Sequence, residues 1–141
     1  ALRYALVHDL VEVYAGDTPA IQKGYEEVQR TKHEREEKAA LRLRKEFGEF
    51  PEMHALIDAY ELRPDEESKF IYALDKIIPV MNIYLDEGHS WKIHNISLDD
   101  IIENKKNKVL VSEEVKKYFD KIVERLRENQ ATLFSKNSAK K

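Results

Sequence analysis

Cysteine is absent from the 141 residues, which excludes disulfides, thiolate nucleophiles and sulfur-ligated zinc together and fits a reducing cytoplasm. Any metal site must draw on His, Asp and Glu. Glycine and proline are scarce, four of each, so few positions interrupt a helix. Long hydrophobic runs are missing as well: no stretch approaches the roughly 18 apolar residues of a membrane span. The first residues lack the basic-then-apolar layout of a secretory signal, and nothing in the pattern addresses a membrane.

What is present is 42% hydrophobic and 36% charged residue, enough for one ordinary domain with a real core. The net charge of -3 hides an asymmetry. From Asn104 onward eleven Lys and Arg stand against five acids, so residues 1–103 carry roughly nine excess negative charges. That balance argues against nucleic acid as a partner of the main body. The basic end, with Lys105, Lys106, Lys108 and the final "KNSAKK", reads as a solvated helix face and a frayed tail. The chain has no initiator Met and begins inside an apolar helical pattern, which predicts further protein upstream.

Apolar residues recur at helical spacing almost throughout, so the fold class is all-α. A first helix is expected from Leu2 to Tyr14, stopped by Gly16 and Pro19, then a polar loop to about Val28. A second, capped by Thr31 with Glu34 in a capping box, ends before Gly48. A third starts near Pro51 and carries Met53, Leu56, Ile57 and Tyr60 on one side. The fourth, about Asp65 to Glu87, has a core stripe of Phe70, Leu74, Ile77, Met81 and Leu85, and Pro79 should kink or divide it. After Gly88 an irregular segment leads to a short helix capped by Ser97. A last amphipathic helix runs from Ser112 to about Phe134. Residues 1–104 form the main core in this reading, with 105–141 packed on it as helix and tail.

The opening stretch "ALRYALVHDLVEVYAGDTPA" holds the chemistry. At 100° per residue, with His8 at zero, Glu12 falls near 40° and Asp9 near 100°, beside the small residues Ala5, Ala15 and Gly16. Leu2, Tyr4, Leu6, Val7, Leu10, Val11, Val13 and Tyr14 fill the remaining arc, so the helix should be buried on most of its circumference. Desolvated carboxylates and imidazole cost several kcal/mol, on the order of magnitude known for buried charge, unless paired or metal-bound. The plain alternative is a satisfied histidine with Asp9 and Glu12 paired to cations. Asp75, beside Ile71 and Ile78, also wants a cation: Lys76, Lys38 or Arg42 in the plain reading, a metal in the sharper one. Imidazole nitrogen and carboxylate oxygen without sulfur suit Mn, Mg, Fe, Co, Ni or Zn.

The residues "LVHDLVEVYAGDTP", "EREEKAALRL" and "EESKFIYALDKI" resemble the HD-domain phosphohydrolase superfamily, and more closely its 5'-deoxynucleotidase branch, with its HD-x-x-E-x-x-x-x-D segment. The resemblance covers about Ala1 to Leu85 and implies an HD-domain helical bundle, here with an added C-terminal amphipathic helix. It implies that His8, Asp9 and Asp75 are metal ligands and that Glu12 and Asp17 are the acidic residues of the active site. The family's first metal-ligating His lies upstream of the His-Asp pair, and no such residue precedes His8. Its nucleotide-binding Arg and Trp also lie upstream, so substrate-binding residues are not assigned. His33, His54, His89 and His94 are poor substitutes for the missing ligand.

The activity implied is release of phosphate from a (deoxy)nucleoside 5'-monophosphate or another small phosphoester by a water on a divalent ion, in a cytoplasmic homodimer. Lys23, Arg30 and Lys32 are candidate local cations, though solvation explains each; Trp91 is better read as a loop anchor than a base-stacking platform. Two other readings are an HD-type phosphodiesterase or nucleotide-signal hydrolase, and a non-catalytic helical dimerisation module.

Overall fold

The computed structural model describes residues 1–18, 21 and 26–135, apart from the Glu26 side chain; Lys23 and the basic end from Lys136 lie outside the described residues. Among the described residues every regular element is a helix. In order they are α1 Leu2–Val7, α2 Glu12–Ala15, α3 Glu26–Arg30, α4 Lys32–Glu46, α5 Pro51–Leu62, α6 Glu66–Leu85, α7 His89–Ile93, α8 Leu98–Val109, α9 Glu113–Glu128 and α10 Gln130–Leu133. Two compact units, Ala1–Ile71 and Tyr72–Lys141, meet within α6.

In the first unit α1 packs on α5 and α2 on α4. Val7, Val11 and Ala15 meet Ala39 and Leu43 of α4 and Ile57 of α5, with Leu10, Tyr14, Met53 and Leu56 at the margin. Each large aliphatic side chain buried this way contributes roughly 1.5–3 kcal/mol. Because α4 and α5 cover one side only, the opening segment is not buried over most of its circumference. Tyr4, Val7, Val11 and Ala15 are buried, while Leu2 (82% exposed), Leu6 (78%) and Val13 (69%) face outward. The Tyr14 hydroxyl donates to the Glu46 carboxylate, and the Arg42 guanidinium lies 3.8 Å over the Tyr14 ring while its Nε donates to Glu46 Oε1 at 2.7 Å. That network fastens α2 to α4.

Four helix ends can be read chemically. Thr31 precedes α4, but no capping box forms: its hydroxyl donates to the Glu27 carbonyl (3.1 Å), and Glu34 pairs with Lys38 (2.6 Å) instead. Pro51 opens α5, where a missing N–H costs nothing, and Arg63 closes it in the left-handed region (φ 50°). Asp65 caps α6: its Oδ1 accepts the Ser68 N–H (2.7 Å), and its Oδ2 accepts the Tyr4 hydroxyl (2.7 Å).

Helix α6 runs through Pro79 without dividing. Its buried side passes through Ile71, Ala73, Ile77 and Val80; of the expected stripe Ile77 is buried, Phe70 and Leu74 are half-buried, and Met81 and Leu85 are exposed. Ala73 is fully buried, and the large side chains alone mis-centre the face.

In the second unit the segment after Gly88, expected to be irregular, forms α7. Gly88 adopts φ +72°, and a Cβ there would overlap the Leu133 backbone. Trp91 is buried and stacks on Phe134 with ring centroids 5.1 Å apart. Ser97 and Asp100 form a reciprocal capping box at the start of α8, and the Ser112 hydroxyl caps α9. Val115, Phe119, Val123 and Leu126 form the buried face of α9. The last helix ends at Glu128, short of Phe134, because Asn129 turns its side-chain amide onto the Arg125 carbonyl (2.9 Å) before α10 begins.

Two outcomes follow from these contacts. The Ser68 N–H above all, and then the Tyr4 hydroxyl, hold the Asp65 carboxyl below its ordinary value. Its ionised form is thus favoured by folding, so its contribution is present above the usual Asp range near pH ~4 and is lost as pH falls through the lowered value. Urea titrations of wild type and Asp65→Ala should show a stability gap at neutral pH that closes on acidification. Gly88→Ala combines a left-handed backbone with backbone overlap and should cost roughly 2–4 kcal/mol in the same assay.

Candidate metal centre

Between α1 and α2 the chain from His8 to Val11 is a tightened turn rather than continuous α-helix. Leu10 N–H bonds the Val7 carbonyl (3.1 Å) and Glu12 N–H the Asp9 carbonyl (3.0 Å), both with the three-residue reach of a 3₁₀ turn. Within this turn His8 Nε2 lies 3.1 Å from Asp9 Oδ2.

The imidazole is oriented from behind. His8 Nδ1 lies 2.9 Å from the Ala5 carbonyl, and since a carbonyl only accepts, Nδ1 carries the hydrogen. In the neutral tautomer Nε2 would then carry a lone pair facing Asp9. Tyr60 supports the ring edge-on, with centroids 5.9 Å apart. Two acceptors at that spacing require either a proton on Nε2 or a cation shared with the carboxylate. Carbonyl-to-imidazole orientation of this kind is the usual support of a metal-ligating histidine.

Asp75 lies on α6 and is half-buried, with its Oδ2 2.6 Å from Lys76 Nζ. Of the cations weighed for it, Lys76 is therefore a partner. One ligand atom from each of His8, Asp9 and Asp75 lies within 4.8 Å of the other two, a grouping that could hold a metal ion. One imidazole nitrogen and two carboxylate oxygens fit a divalent first-row ion or magnesium.

Glu12 and Asp17 stand outside this trio. Glu12 is the first residue of α2, half-buried, one turn beyond His8. Asp17 is exposed in the loop after Gly16, whose φ of 76° and ψ of 146° belong to a region open essentially to glycine alone. None of the other histidines joins the cluster: His54 is buried with Nε2 on the Phe47 carbonyl (2.8 Å), and His33 is exposed beside Glu37. Arg30 is paired with Glu27 and Lys32 with Glu36.

A family model described as the HD domain matches residues 1–117. The chain belongs to the HD domain family. Within this HD domain the matched span contains His8, Asp9, Glu12, Asp17 and Asp75. A solved structure from Magnetospirillum magnetotacticum MS-1, described as a predicted metal-dependent phosphohydrolase, is similar to the chain at 29% identity and a TM-score of 0.70. The similarity covers 91% of this chain, which spans 65% of the length of that protein. Comparison with curated proteins finds no match.

Arg35 went unmarked in the sequence. Its guanidinium donates through Nη1 to the Ala15 carbonyl and through Nη2 to Thr18 Oγ1 (2.7 Å) and the Val28 carbonyl (3.0 Å). The available signal was its register: Arg35, Ala39 and Leu43 are four apart, and the latter two are core. An arginine continuing a buried stripe has acceptors waiting for it. At the neighbouring turn, Gly16→Ala should cost roughly 1–3 kcal/mol by urea denaturation, through backbone strain alone, since the new Cβ would sit 3.9 Å from Arg35 Nη1.

Proposed function

We propose that this HD domain is the core of a metal-dependent phosphohydrolase acting on small phosphomonoesters, with (deoxy)nucleoside 5'-monophosphates as the substrate class. The grouping of His8, Asp9 and Asp75, two carboxylates and an imidazole oriented by the Ala5 carbonyl, carries the reading. Membership of the HD domain family and likeness to a protein described as a predicted metal-dependent phosphohydrolase support it. The substrate class rests on the HD-x-x-E-x-x-x-x-D pattern of the opening segment.

In this mechanism His8, Asp9 and Asp75 would hold the divalent ion. When bound, the ion supplies a water of lowered pKa and offsets charge on the phosphoryl oxygens. His8 keeps Nε2 directed by donating Nδ1–H to Ala5. Glu12 orients the attacking water by accepting its hydrogen. Asp17, on the exposed loop, protonates the leaving 5'-oxygen or bonds the sugar. The excess acid of residues 1–103 does not oppose an anionic substrate at contact range, where a divalent charge dominates. The same reading makes the enzyme a cytoplasmic homodimer without nucleic-acid or membrane partners; among the described residues no helix is long and apolar enough to cross a membrane.

Phosphate release by the natural full-length protein, measured over nucleoside monophosphates with Mn, Co, Mg, Ni, Fe and Zn, tests the assignment. Activity should require added metal, vanish with chelator, and fall more than about a hundredfold in Asp75→Asn with the urea midpoint preserved. Preference for phosphodiesters would replace the substrate class. A cooperatively folded protein that binds none of these ions would defeat the proposal.

A further inference from the structure

Arg35 ties together the chain at three points, residues 15, 18 and 28. Ala15 is the last residue of α2, Thr18 follows Asp17, and Val28 belongs to α3. All three acceptors are neutral oxygens, so the guanidinium works as a fork of fixed N–H donors and not as the partner of a carboxylate. Gly16 and Asp17 are the two residues between its first two anchor points. Thr18 is 7% exposed although Gly16 and Asp17 are both exposed, so the loop enters the interior again directly after Asp17. Gly16, with its positive φ, lets the chain turn out from α2, and Arg35 Nη1 lies against that turn.

We propose that Arg35 is a positioning residue that holds the Gly16–Asp17–Thr18 loop so that the Asp17 carboxyl is presented at the active site. The assignment rests on the phosphohydrolase reading, in which Asp17 serves the leaving group or the sugar. Arg35 touches neither metal nor substrate; its effect reaches the reaction through Asp17. A lysine keeps the charge and most of the length but carries its donors on one nitrogen, and cannot span the Ala15, Thr18 and Val28 oxygens together. Thr18→Val removes a single anchor, the Oγ1 acceptor, with nearly unchanged shape.

The test is a double-mutant cycle in the natural full-length protein, combining Arg35→Lys or Thr18→Val with Asp17→Asn. It reads kcat for a nucleoside 5'-monophosphate, Mn²⁺ affinity by calorimetry and amide hydrogen exchange across residues 15–18. Arg35→Lys should lower kcat about 10- to 100-fold, since sub-ångström to ångström misplacement of a reacting group has effects of that size. Thr18→Val should act in the same direction by about three- to tenfold, consistent with loss of one hydrogen bond to a charged donor. In the Asp17→Asn background both losses should shrink to less than about twofold. Mn²⁺ affinity should stay within about twofold, and exchange at 15–18 should rise about tenfold or more. Equal losses in both backgrounds, or metal affinity falling in parallel with kcat, would overturn the assignment and leave Arg35 a general staple. An active wild type with an unaffected Arg35→Lys would overturn it alone, whereas a wild type inactive with every metal would remove the phosphohydrolase reading beneath it.

Discussion

An imidazole nitrogen and a carboxylate oxygen 3.1 Å apart repel unless something positive lies between them. Once the Ala5 carbonyl has taken the hydrogen on Nδ1, His8 meets Asp9 through a lone pair, and the fold has committed itself to a proton or a cation at that point. The nearby features serve this commitment. The turn from His8 to Val11 carries both side chains, Val7 and Val11 anchor its two ends in the core, and Tyr60 backs the ring.

The acidic loop beyond is built on a second economy. Gly16 leaves α2 in a conformation that a side chain would resist, and the cost of turning there is offset by hydrogen bonds from one guanidinium to oxygens on both sides. A loop of this kind is exposed at its tip and held at its base, which suits a residue that must reach a ligand without wandering.

Much of this was legible in the residues. Low glycine and proline with unbroken helical spacing gave the all-α class, and the His-Asp pair with Glu12, Asp17 and Asp75 at their spacings pointed to the HD domain before any fold was known. What periodicity could not supply was direction. An apolar wheel around the first segment does not say how many neighbours will pack on it, so Leu2, Leu6 and Val13 were assigned inward and lie outward. On α6 the large residues suggested a stripe through Met81 and Leu85, but a small one, Ala73, sits at the centre of the buried side. The 3₁₀ turn at His8 and the reach of Arg35 depend on three-dimensional acceptors that no spacing rule contains. Thr31 shows the converse: a capping pattern was present, and a carbonyl at Glu27 took the hydroxyl first.

Helix α6 carries a proline at position 79 and continues past it to Leu85. Proline has no amide hydrogen, and the carbonyl it would have bonded, four residues back, is that of Asp75. The rung missing from the ladder is therefore the one beneath the distant carboxylate. Stiffness is unevenly shared along this rod, and its most compliant peptide is the one that bears Asp75.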